Sequence, residues 1–145
     1  MVDDNFFDAA VRHWYDGTIL EREGEYDNAV CMQGFAAECA LKTIFEKGVS
    51  KELTKKYSHD MKCLLEDILT MSANDVGIVS ILDPSCGLRI SEIGLEDILF
   101  ENHPERRYFS NGHYSREDAE KCRENAHKFV KEMLELYVDG YIGIR

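Results

Sequence analysis

Residues 25–48 read EYDNAVCMQGFAAECALKTIFEKG, a helical pattern with apolar side chains on more than one side. One face carries apolar residues at helical spacing: Val30, Ala37, Leu41, Ile44 and Phe45. A second face carries small residues: Gly34, Ala36, Cys39 and Ala40. A surface helix shows a single apolar stripe. The pattern therefore predicts a buried helix at the centre of a bundle.

Glu38 is the carboxylate in the middle of this helix, and it has two interpretations. In the first, it points to solvent and pairs with Lys42, four residues further on. In the second, it is buried and pairs with a cation from a later loop, because buried charges need partners. We favour the second interpretation, with Arg106 or Arg107 as the partner.

Composition limits the class of protein. The 145 residues carry a formal net charge of -11 and are 44% apolar, which indicates one globular domain over residues 1–145. Such acidity argues against a protein that coats nucleic acid over its whole surface, but it is compatible with a local basic site. We expect no membrane span, no signal peptide and a cytoplasmic location. The five cysteines form no CxxC pair, which indicates reduced thiols.

Helical periodicity continues on both sides of the central segment. Residues 5–23 carry one apolar stripe, and a third helix begins after Ser58, its predicted N-cap. Ser115 and Asp118 form a capping box in front of a last helix. A short helix is predicted at residues 74–82 and a loop at 85–94, while residues 95–100 fit either a helical turn or an extended piece. The predicted fold class is all-α: an up-and-down bundle of four long helices plus a short helix.

The loop at residues 102–116 is the basic part of this acidic chain. It combines arginines, histidines and aromatic residues: His103, Arg106, Arg107, Tyr108, Phe109, His113, Tyr114 and Arg116. Arginine binds phosphate, histidine exchanges protons near neutral pH, and aromatic rings stack on bases. The loop therefore predicts a phosphate or nucleic-acid site. In the structural alternative, the arginines pair with acids of neighbouring helices while Tyr108 and Phe109 plug the end of the bundle.

Metal binding is a weaker alternative. His13, Glu38, His59 and His127 are scattered over different helices, and no ExxH or CxxC motif joins them. A carboxylate–histidine site in a bundle could be assembled from such residues, but we predict no metal and no cofactor. His59 is read as part of a helix start.

Two segments resemble the HEPN domain (higher eukaryotes and prokaryotes nucleotide-binding). They are Tyr26–Ala29 with Phe35–Lys42 (YDNA and FAAECALK) and Ser58–Met61 (SHDM) with Leu64 and Leu65. The resemblance implies an all-α bundle that forms homodimers. Many members are metal-independent RNases, often toxins paired with a nucleotidyltransferase-like antitoxin, and others are non-catalytic binding modules.

The resemblance also implies a site. The catalytic signature of the family is an arginine followed, after four to six residues, by a histidine. Arg107 and His113 are separated by five residues, and Arg106 and His113 by six, so both fit the spacing. Arg107 and His113 are taken as the implied catalytic pair. His113 would assist attack of an RNA 2′-hydroxyl on the adjacent phosphorus, and Arg107 would stabilise the phosphate charge. The implied substrate-binding residues are Glu38, His103, Arg106 and Tyr108, with Glu38 orienting Arg107.

Three hypotheses follow. The chain is a HEPN-type RNase or toxin that uses Arg107 and His113 in a dimer cleft. Alternatively, it is a non-catalytic HEPN module that binds a nucleotide or a partner protein, such as a nucleotidyltransferase-like antitoxin. In the third, it is an oligomerisation domain whose arginines only brace the bundle.

Overall fold

A computed structural model describes residues 5–48, 53–73, 93 and 96–138. These residues form four α-helices and two short 3₁₀ helices. In chain order they are α1 (Phe6–Arg22), α2 (Tyr26–Gly48), a 3₁₀ helix (Leu53–Tyr57), α3 (Met61–Ala73), a second 3₁₀ helix (Glu105–Tyr108) and α4 (Arg116–Val138). The described residues contain no strand, which confirms the all-α class.

Helix α2 is the centre of the bundle, as its sequence predicts. It packs against α1, α3, α4 and both 3₁₀ helices. The five apolar residues of its first face are fully buried: Val30, Ala37, Leu41, Ile44 and Phe45. Its small-residue face is buried too, so neighbouring elements approach the α2 backbone closely.

Polar side chains define the starts of the helices. The Asn5 side chain accepts a hydrogen bond from the backbone N–H of Asp8 and caps α1. Ser115 and Asp118 form the predicted capping box, in which each side chain accepts a hydrogen bond from the backbone N–H of the other at 3.1 and 3.0 Å. Both ends therefore follow the local sequence signal.

The predicted cap of α3 is wrong. Asp60, and not Ser58, caps this helix, because Oδ1 of Asp60 accepts a hydrogen bond from the backbone N–H of Cys63 at 3.1 Å. Ser58 instead has a positive φ of 49°. The helix consequently begins at Met61, and His59 lies in the connection before it.

Several predictions fall on residues outside the described ranges: the short helix at 74–82, the loop at 85–94 apart from residue 93, residue 95 and Cys86. Residues 96–100 form turns, with the backbone N–H of Phe100 donating to the carbonyl of Asp97. Among the described cysteines, Cys31, Cys39 and Cys122 are buried, whereas Cys63 is exposed. Within the described helices, none combines the length and apolar character that crossing a bilayer requires.

Candidate functional site

Glu38 is buried in the middle of α2, and its carboxylate contacts three side chains. Oε2 accepts a hydrogen bond from Nζ of Lys42 at 3.1 Å. Oε1 lies 2.9 Å from Nδ1 of His59 and 2.7 Å from Nε2 of His103. We call Glu38, Lys42, His59 and His103 the Glu38 cluster. It joins α2 to the connection before α3 and to the loop before α4.

The cluster holds an ionised carboxylate. Burial by itself raises the pKa of Glu38. The hydrogen bond from His103, the charge of Lys42 and the hydrogen bond from His59 oppose burial and lower that pKa to about 2. Burial lowers the pKa of His103, against its hydrogen bond to Glu38, so this ring is mainly neutral at pH 7. Because an ionised carboxylate only accepts hydrogen bonds, the ring nitrogens that face Glu38 carry protons.

Each histidine of the cluster follows a residue with left-handed backbone. Ser58 has φ 49° and Asn102 has φ 58°, and among the described residues these are the only non-glycine positions with positive φ. Such a conformation costs about 1–3 kcal/mol and persists only where the surrounding structure enforces it. The fold thus directs His59 and His103 at Glu38 despite a cost in backbone energy.

Two cavities open beside the cluster, and His59 lines both of them. One has a volume of about 480 Å³ and is also lined by His103, Asn102 and Tyr57. The other, of about 410 Å³, is lined by Glu38, Lys42 and neighbours. The side chain of His59 is 42% exposed and that of His103 is 1% exposed. A small ligand can therefore reach the cluster from the His59 side.

Arg106 supports the loop before α4 from the inside. Its side chain is buried, and Nη1 donates to the carbonyls of Ile98 and Glu101 at 2.7 and 3.0 Å. Nη2 donates to the carbonyl of Leu99 at 2.8 Å. These carbonyls belong to turns without regular backbone pairing, so Arg106 supplies the donors that burial requires.

Gly34 in α2 makes room for this arrangement. A Cβ at this position would overlap Nη2 of Arg106 and lie 2.7 Å from Nδ1 of His103. Both atoms belong to side chains that are themselves held by hydrogen bonds. Gly34 therefore lets the loop before α4 dock directly on the surface of α2.

Asp27, in the first turn of α2, holds the other end of this loop. Its carboxylate accepts hydrogen bonds from the backbone N–H groups of Gly112 at 2.7 Å and Tyr114 at 2.9 Å. Burial raises the pKa of Asp27, but these bonds and a third from the backbone of His113 outweigh it and lower the pKa. The loop is consequently fixed at both ends, by Arg106 and by Asp27.

Four exposed side chains project from this fixed loop, and we call them the loop face: Arg107, Tyr108, Phe109 and His113. The Arg107 guanidinium lies 4.9 Å from the centroid of the Tyr108 ring, which is 78% exposed. The His113 ring lies 4.8 Å from Phe109, centroid to centroid. The loop thus exposes a cation, an imidazole and aromatic rings in two contacting pairs, Arg107 with Tyr108 and His113 with Phe109.

The structure changes the interpretation of several predicted site residues. Glu38 is buried and is paired with a loop residue, but the predicted arginine partner is wrong: the loop supplies His103. The pair with Lys42 also forms, but inside the protein and not on a solvated face. Because Glu38 is bound elsewhere, it does not orient Arg107.

Arg106 was predicted to bind substrate, but it is buried and uses its N–H groups on backbone carbonyls. The structural alternative for the loop is right that Arg106 has an internal, structural role, but it is wrong about the partners of Arg106 and the place of Tyr108. The hydrogen bonds of Arg106 go to carbonyls and not to acids, and Tyr108 is exposed and not a plug.

Sequence reasoning missed the role of His59. Its partner Glu38 lies 21 positions away, and the second imidazole, His103, lies 65 positions from Glu38. No local motif joins such distant residues. The available signal was that Glu38 and His59 both fall in the segments that resemble the HEPN domain.

No family model matches the chain, and comparisons with curated proteins and with solved structures found no significant match. The resemblance to the HEPN domain therefore stays a prediction that depends on the residues quoted above.

Proposed function

We propose that this chain is a HEPN-type domain that binds RNA on its loop face and cleaves it without a metal ion. The observation that supports the proposal best is a loop that is held from inside the protein while its reactive side chains are exposed. Arg106 and Asp27 hold the loop from inside, while Arg107, Tyr108 and His113 face solvent. Groups held in place before the substrate arrives lose little entropy on binding.

In the proposed reaction, His113 removes the proton from an RNA 2′-hydroxyl, and the 2′-oxygen attacks the adjacent phosphorus. The bond between phosphorus and the 5′-oxygen breaks, and His113 returns a proton to that oxygen. The products are a 2′,3′-cyclic phosphate and a 5′-hydroxyl. Arg107 stabilises the negative charge that develops on the phosphate oxygens. Tyr108 stacks on a base beside the cleaved bond.

A homodimer is part of the proposal. A chain of net charge -11 repels RNA, and a single loop face offers little compensation. Two-fold symmetry would bring two loop faces together into one basic cleft. Light scattering coupled to size exclusion should give twice the monomer mass, and a monomer that still cleaves RNA would contradict this part.

The test is cleavage of a fluorescent single-stranded RNA in buffer with EDTA. Arg107→Ala and His113→Ala should each reduce the rate by about 100-fold or more. The same RNA with a 2′-deoxy sugar at the cleaved position should stay intact. Circular dichroism should show unchanged helix content, because both side chains are exposed.

Two exposed residues on other helices provide matched controls: Arg22→Ala on α1 and His127→Ala on α4. Both remove the same chemical groups away from the loop face and should keep the wild-type rate. Cleavage that survives both Arg107→Ala and His113→Ala would overturn the proposal.

A second function is a non-catalytic module that binds a nucleotide or RNA on the same loop face. The contacts of the implied catalytic pair favour this module, because the two residues have different partners. Arg107 lies on Tyr108, whereas His113 packs against Phe109 and Tyr114. This module would bind RNA without cleaving it. Tyr108→Ala should then weaken binding about tenfold or more by fluorescence anisotropy, and cleavage dependent on His113 would exclude it.

A further inference from the structure

We propose that Glu38, His59 and His103 form a binding site for a divalent transition-metal ion of the Zn²⁺ type. The donor atoms are Oε1 of Glu38, Nδ1 of His59 and Nε2 of His103, and all three lie within 4.8 Å of one another. Two imidazoles and one carboxylate are a ligand set that Zn²⁺ uses in proteins. This site is separate from the loop face and does not depend on the proposed RNA cleavage.

The donor spacing fits a metal ion after the side chains adjust. Bonds of about 2.0–2.1 Å in a tetrahedron place neighbouring donors about 3.3 Å apart. The nitrogens of His59 and His103 lie 2.9 and 2.7 Å from Oε1 of Glu38, and the two nitrogens are at most 4.8 Å apart. To surround a central ion, the two oxygen–nitrogen distances must widen by about 0.4 and 0.6 Å, and the distance between the two nitrogens must shorten by at most about 1.5 Å.

The backbone directs both histidine side chains towards Glu38. Both histidines directly follow the positive-φ residues Ser58 and Asn102, a conformation that concentrates at ligand-binding sites. Each ligand comes from a different part of the chain: α2, the connection before α3 and the loop before α4. A bound ion would link these three segments.

The surroundings of the donors match an open metal site. Lys42 holds the second oxygen of Glu38, which leaves Oε1 to the ion and orients the carboxylate. Nδ1 of His103 has no hydrogen-bond partner in the described structure, so it can take up the proton that Nε2 loses when Nε2 binds the metal. His59 borders both cavities, which offer an entry path. With three protein ligands, the fourth position is left for water or a small anion.

The test is metal titration of the full chain after treatment with EDTA. Zn²⁺ in isothermal calorimetry should bind with one-to-one stoichiometry, and Co²⁺ should give the visible absorption bands of a tetrahedral complex. His59→Gln and His103→Gln should each weaken the affinity about 10- to 100-fold or more. Saturating Zn²⁺ should also raise the Tm of the wild type by several degrees.

His127→Gln is the matched control, because His127 is exposed on α4 and should leave the affinity unchanged. Arg107→Ala should leave it unchanged too, which separates this site from the loop face. His59 is partly exposed, so His59→Gln keeps the test valid if His103→Gln fails to fold. Absence of one-to-one binding, or binding that both ligand variants retain, would overturn the proposal.

Discussion

Gly34→Ala tests whether the loop before α4 docks on α2 as closely as the structure shows. The added methyl group would overlap Nη2 of Arg106 and crowd Nδ1 of His103 at 2.7 Å. Gly34 is buried inside a helix, so the backbone cannot move away from these side chains without disturbing the core. The crowded groups must move instead.

The expected cost follows from three contributions. Crowding in a packed interior costs about 1–3 kcal/mol. Loss of the hydrogen bond from Nη2 of Arg106 to the carbonyl of Leu99 adds about 1.5–3 kcal/mol, because the donor is charged. Alanine is a better helix former than glycine and offsets about 1 kcal/mol. We expect a net decrease of about 3 kcal/mol in the free energy of unfolding.

Urea denaturation followed by circular dichroism would measure this change. The control is a double-mutant cycle with Arg106→Ala, which removes the group that the methyl meets. In that background, Gly34→Ala should cost at least about 1 kcal/mol less than in the wild type. If Gly34→Ala alone leaves stability within about 0.5 kcal/mol of wild type, helix propensity prevails and the close packing is absent.

Two further substitutions test the ends of the loop and the backbone before His59. Asp27→Asn should lower stability by about 1 kcal/mol at pH 7, because the ionised carboxylate binds the backbone N–H groups of Gly112 and Tyr114. The folded pKa of Asp27 is lowered from 3.8, so its contribution is present above about pH 4 and is lost as the pH falls through the folded value. Urea denaturation should show a smaller difference from wild type at pH 3 than at pH 7, and an equal difference at both values would contradict this reasoning. Ser58→Gly should raise stability by up to about 1 kcal/mol, because glycine adopts a positive φ without steric cost; a decrease in Tm would show that the Ser58 side chain has a role of its own.

The parts of the fold that depend on neighbours in sequence were predictable. Apolar spacing predicted the burial of α2, and the Ser115–Asp118 pair predicted the start of α4, since both signals act within one or two helical turns. At the start of α3, the sequence predicted Ser58 as the cap. Ser58 has a left-handed backbone, which periodicity does not reveal, and Asp60 caps the helix instead.

The candidate site was predictable only in part. A buried Glu38 needs a cation or a donor, and this rule correctly predicted a partner from the loop before α4. It did not distinguish a histidine from an arginine. That choice depends on how the loop folds: Arg106 turns inward to backbone carbonyls, and His103 is left facing Glu38.

The contact between Asp27 and the loop has a consequence for local opening. Asp27 lies in the first turn of α2, so fraying of that turn removes the acceptor for the N–H groups of Gly112 and Tyr114. We therefore expect the start of the central helix and the segment that carries His113 to open as one cooperative unit. Their amide protons should exchange with solvent together, at a free energy below that of global unfolding.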